Sequence, residues 1–123
     1  MTILCVDSDQ QALNRLAALM RQLRPGDAVH RCRGPDEALQ AAEEHGCDLL
    51  LTEIEIGSHL DGLMLAEKLR ERKPQMEVIC VTDRRDNLTA LRAWGIHAHG
   101  YLQKPYTPQR LAEELDHLWL GHK

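Results

Sequence analysis

A chain of 123 residues is one domain, long enough for a proper core. Apolar residues make up 43% and charged residues 28%, which excludes a disordered or membrane-embedded composition. A net charge of −4 with acids and bases interspersed gives no case for direct nucleic-acid binding, and no apolar run approaches the roughly 20 residues of a membrane span.

The apolar N-terminal segment, Ile3 to Val6, is too short for a signal peptide, so a cytoplasmic protein is expected. Cys5, Cys32, Cys47 and Cys80 have no CxxC spacing and read as reduced, structural thiols. His97 and His99 are the nearest approach to a metal pair, with no third ligand close in sequence.

In chain order, Thr2 to Val6 (TILCV) is a short apolar strand ending in Asp7-Ser8-Asp9, and Ser8 or Asp9 can cap the helix that follows. Leu13, Leu16, Met20 and Leu23 recur at helical spacing and predict an amphipathic helix over Asp9 to Arg24, broken by Pro25-Gly26. Ala28 to Cys32 is a weak second strand carrying basic residues, as an edge does. Pro35 opens a helix that runs to His45 and stops at Gly46. Asp48 to Thr52 is the third strand; its Leu49-Leu50-Leu51 run reads as buried on both faces. It gives way to Glu53 and a loop closed by Asp61-Gly62. Leu63, Leu65, Ala66 and Leu69 mark the next helix, stopped by Lys73-Pro74. Glu77 to Val81 is a fourth strand leading into Thr82-Asp83, followed by a helix over about 86–94 that Gly95 closes. His99 to Leu102 is the fifth strand, ending in Gln103-Lys104-Pro105. Thr107-Pro108 then caps a last helix striped by Leu111, Leu115, Leu118 and Trp119.

Strands and helices alternate five times with short connections, which implies a parallel sheet covered on both faces. The predicted class is α/β: a flavodoxin-like, doubly wound five-stranded sheet of order 2-1-3-4-5 with five helices. In that order strands 1, 3, 4 and 5 deliver Asp7, Glu53, Thr82 (with Asp83) and Lys104 to one crevice. Carboxylates are ligands for a hard divalent cation such as magnesium. A hydroxyl and a lysine suit the oxygens of a phosphoryl group.

With these residues in place, the sequence resembles the receiver domain of two-component response regulators over nearly its whole length, 1–123. DLLLTEI, the Asp61-Gly62 pair, VICVT and GYLQKPY are similar to the family's strand-3, pre-helix, strand-4 and strand-5 segments. The resemblance implies a phosphoacceptor position at Glu53, phosphoryl-binding roles for Thr82 and Lys104, and switch roles for Tyr101 and Pro105. It implies a metal site at Asp7 and Glu53 with Asp9 as a possible substitute ligand, and a cis Lys104-Pro105 bond. It also implies a partner face on the predicted helix over 86–94, the fifth strand and the last helix. That face would serve a protein partner, an output domain or a second copy, with a histidine kinase as the conventional phosphodonor. Leu102, Tyr106 and Trp119 are the candidate exposed apolar contacts there, Trp119 half-packed.

Three departures fall at the chemistry. Glu53 stands where the family has aspartate, and the added methylene moves the carboxylate outward by about 1.5 Å. Errors of about 1 Å cost on the order of a hundredfold in aligned group transfer. Ser8 replaces the second acid of the metal site, weakening magnesium binding. Asp83 stands where the family has a small residue, crowding an incoming phosphate. The loop IGSHLDG is also one residue longer than usual. The expectation is an atypical receiver that signals through protein–protein contact without aspartyl phosphorylation, with Glu53 salt-bridged to Lys104. Such a domain at most catalyses its own phosphotransfer. Two alternatives stand beside it: a conventional receiver with magnesium-dependent phosphotransfer, and a small haloacid-dehalogenase-like phosphatase suggested by the D-x-D form of Asp7-Ser8-Asp9. The latter lacks the further acidic pair and the cap domain that chemistry needs.

Overall fold

A computed structural model describes residues 1–56, 60–83, 95 and 97–118. Five strands, β1 (Thr2–Val6), β2 (Ala28–Cys32), β3 (Leu49–Thr52), β4 (Glu77–Thr82) and β5 (Gly100–Gln103), form one parallel sheet of order β2-β1-β3-β4-β5. The helices among the described residues are α1 (Gln10–Leu23), α2 (Pro35–His45), α3 (Gly62–Arg70) and α4 (Pro108–Asp116). The helix predicted over 86–94 lies outside the described residues, as does Trp119.

Why the sheet is wound on both faces follows from the alternation of side chains along each strand. Ile3, Cys5, Leu49, Leu51, Ile79, Val81 and Leu102 point to one face, where Leu13, Leu16 and Met20 of α1 and Leu111 and Leu115 of α4 cover them. Leu4, Val6, Leu50 and Val78 point to the other, against Ala38 of α2 and Leu65, Ala66 and Leu69 of α3. A strand such as β3, fully buried on both sides, is mostly apolar, which is why Leu49-Leu50-Leu51 runs unbroken up to Thr52. β2 is an edge, and its residues are more exposed than those of β1 or β3.

Helix ends follow their capping residues. Asp9 rather than Ser8 caps α1, its carboxylate accepting from the Gln11 and Ala12 N–H groups. Asp61 caps α3 by accepting from Met64 N–H, and Thr107 caps α4 by accepting from Arg110 N–H. Gly46 ends α2 at φ +79°, where a glycine carries no steric penalty.

Two expectations are corrected here. Leu102 is fully buried and Tyr106 is 8% exposed; both belong to the core beneath α1 and α4 rather than to an exposed apolar surface. Leu102 points opposite to Tyr101 on β5, and that face is the one two helices cover. Tyr106 lies where the chain turns from β5 toward α4, against α1.

Candidate functional site

The site lies at the carboxyl ends of β1, β3, β4 and β5, where the strand order reverses. Its residues are set by ladder hydrogen bonds that run one residue past the strands. Val6 pairs with Thr52, and the next residue, Glu53, donates its N–H to the Val6 carbonyl at 2.9 Å. Asp7 N–H donates to the Cys32 carbonyl at 3.1 Å, and Lys104 N–H to the Thr82 carbonyl at 2.8 Å. The backbone positions of all three charged residues are therefore dictated by the sheet.

The Lys104 ammonium joins both carboxylates, standing 2.6 Å from Asp7 Oδ2 and 2.8 Å from Glu53 Oε2. The Glu53–Lys104 pairing expected from the sequence is present. The shorter contact with Asp7 was not foreseen. Asp7 and Glu53 are 4% and 7% exposed, so the three charges interact with little screening by water. Burial alone would lower the Lys104 pKa, but hydrogen bonds and charge from Asp7 and Glu53 outweigh it and hold the ammonium above its usual value.

The second oxygen of each carboxylate is also engaged. Asp7 Oδ1 accepts from Asp9 N–H at 2.9 Å, and Glu53 Oε1 from Ile54 N–H at 2.7 Å. Thr52, which the sequence did not single out, donates its hydroxyl to the Glu53 carbonyl at 2.8 Å. Gly62 packs directly on the same carbonyl: a Cβ there would overlap the Glu53 oxygen and stand 2.8 Å from Thr52 Oγ1. Only a glycine permits α3 to start so close to the end of β3.

The other predicted residues occupy distinct positions. Thr82 is fully buried at the end of β4. Pro105 follows a cis peptide bond. Tyr101 is half-buried beside Ile54, Leu63 and Cys80. Ser8 is exposed, its hydroxyl donating to the Glu55 carbonyl at 3.4 Å. Asp9 is occupied at the α1 terminus. Asp83 is exposed and borders, with Asp7, Asp9 and Lys104, a cavity of about 400 Å³ whose wall includes Arg15 and Tyr106.

Magnesium takes six oxygen ligands in near-ideal octahedral geometry. Asp7 and Glu53 are the two donors at hand, and both face an ammonium already bonded to them. Among the described residues no three His, Cys, Asp or Glu side chains are grouped to hold a metal ion. Two carboxylates completed by waters are a set that magnesium accepts, and here both are turned to the Lys104 ammonium. His99 is engaged elsewhere, its Nδ1 accepting from Val78 N–H at 3.1 Å.

Comparison with known proteins agrees with this geometry. Residues 3–116 match the family described as the response regulator receiver domain. The chain is 35% identical over 116 residues to the positive alginate biosynthesis regulatory protein of Pseudomonas aeruginosa, covering 94% of this chain and 46% of that protein. It is 30% identical over 111 residues to the transcriptional regulatory protein NatR of Bacillus subtilis, covering 90% and 46%. It thus spans a little under half the length of these two relatives. Among solved structures, the receiver domain of NtrX from Brucella abortus superposes with a TM-score of 0.83 at 25% identity, covering 93% of this chain and 94% of that one. A CheY-like receiver domain protein from Methanospirillum hungatei gives 0.82 at 26%, covering 94% and 90%. The chain belongs to the response regulator receiver domains of two-component signalling.

Proposed function

We propose that this receiver signals through protein–protein contact without aspartyl phosphorylation, its Glu53 carboxylate standing permanently against Lys104. The observation that carries the reading is the Lys104 ammonium 2.8 Å from Glu53 and 2.6 Å from Asp7. In an acyl-phosphate receiver these groups must be available: the acceptor to attack, the acids to hold a cation, the lysine to meet the phosphoryl oxygens. Here one internal cation satisfies both carboxylates. The nucleophile would have to leave a charge-assisted hydrogen bond before it could react. Its extra methylene also misaligns it by about 1.5 Å, a displacement that costs on the order of a hundredfold.

In this reading residues 1–123 act as one cytoplasmic receiver domain. Thr82 and Lys104 keep the family's phosphoryl-facing positions, and Tyr101 and Pro105 the switch positions. A protein partner, an output domain or a second copy engages the face that carries β5 and α4. Asp83 at the mouth of the cavity repels phosphate anions and supports the same reading. The conventional alternative, with a histidine kinase and magnesium, needs Lys104 to release both acids.

The test is incubation of the protein with acetyl phosphate and magnesium, followed by intact-mass measurement. The expected result is an unchanged mass. A stoichiometric, acid-labile phosphoryl adduct on Glu53 would overturn the reading.

A further inference from the structure

Lys104 reaches its two carboxylates from a short piece of chain that is anchored at both ends. At one end its own N–H is held by the Thr82 carbonyl of β4 at 2.8 Å. At the other, two residues on, the Tyr106 carbonyl accepts a hydrogen bond from Arg15 Nη2 at 2.9 Å. The same guanidinium lies over the Tyr106 ring, 4.7 Å from its centroid. A hydrogen bond and a cation–π contact therefore converge on one residue, from a helix 91 positions away in sequence.

That helix is α1, and its N-terminal end carries the other half of the charge network. Asp9 caps α1, and Asp7 accepts from the Asp9 N–H at 2.9 Å. The Arg15 contact thus ties the loop that bears Lys104 to the same rigid element that fixes Asp7. Tyr106 is buried with Leu13 and Leu16 of α1, so the ring offers the guanidinium a fixed platform. Without Arg15 the loop would keep the β4 anchor and the buried ring, but the Tyr106 carbonyl would lose its donor.

We propose that Arg15 is a positioning residue: by clamping Tyr106 to α1 it holds the Lys104 ammonium within bonding distance of Asp7 and Glu53. The inference rests on the salt-bridge reading and deepens it, because it names what sets the lysine's reach. An arginine suits the task better than a lysine, since its planar fork donates to the carbonyl and stacks on the ring at once.

The experiment follows the Lys104 side-chain ammonium by nitrogen-15 NMR, measuring proton exchange and titration in wild type, Arg15→Met and Arg15→Lys. Arg15→Met keeps the apolar stem and removes both contacts. It is expected to speed exchange of the Lys104 ammonium about tenfold, a hydrogen bond to a charged group being worth that order of change. It should also bring the Lys104 pKa back toward 10.5. Arg15→Lys should recover part of both effects, and the sheet amides should be unchanged throughout. If Arg15→Met does not fold, Tyr106→Leu removes the ring from the other side while keeping the carbonyl and should give the smaller part of the same shift. A wild-type Lys104 that exchanges fast and titrates normally overturns the salt-bridge reading itself. Slow exchange in wild type that is unaltered in the variants overturns only the clamp.

Discussion

Two nearly buried carboxylates share one ammonium, and that stoichiometry decides how the residues at the crevice behave. Lys104 is what allows Asp7 and Glu53 to be ionised side by side. Replacing it with methionine leaves two like charges facing each other, and breaking such a network costs about 3 kcal/mol. The loss is read by urea unfolding at pH 7. The Lys104 pKa is raised in the folded protein, so its contribution is complete below 10.5 and is lost as pH climbs through the higher folded value. The stability gap between wild type and Lys104→Met should therefore narrow above pH 10.5. Glu53 opposite Lys104 was legible because an apolar run that ends in an acid marks a strand mouth. Asp7's claim on the same ammonium spans 97 residues of sequence, and the Ile54 N–H that holds Glu53 is a backbone group; neither leaves a pattern in side-chain spacing.

At the scale of elements, the join between β3 and α3 is the tightest in the site. Gly62→Ala would drive a methyl group into the Glu53 carbonyl and against Thr52 Oγ1, two groups with no room to retreat. A loss of about 3 kcal/mol in chemical denaturation is expected. Gly100→Ala on β5 meets the Glu114 carboxylate at 2.6 Å, the far end of a side chain that can swing away, so about 1 kcal/mol is expected there. Asp9→Ala should cost about 1 kcal/mol by uncapping α1 while leaving the Lys104 titration as it was. The elements themselves were readable from caps and breakers: Asp9, Gly46, Asp61 and Thr107 all stand at the helix ends expected of them. Leu102 and Tyr106 were misplaced because strand alternation tells which residues share a face but not which face a distant helix covers.

Across the whole molecule, the doubly wound sheet buries its four cysteines and brings Asp7, Glu53 and Lys104 together at the carboxyl ends of its strands. Burial pushes the Cys5 and Cys47 thiols up to about 12 and Cys32 to about 11, far from thiolate formation at neutral pH. A thiol reagent at pH 8 should modify all four only as fast as the protein unfolds; rapid reaction of any one in native protein would contradict this packing. The topology, shared with the receiver domains, explains why residues from four strand ends meet at one crevice. The most direct test is a crystal structure grown with magnesium and beryllium fluoride, a mimic of the phosphoryl group. Glu53 is expected to stay bonded to Lys104, with no beryllium on its carboxylate. Beryllium fluoride bound to Glu53, with magnesium on Asp7 and Lys104 turned to the fluorides, would contradict it.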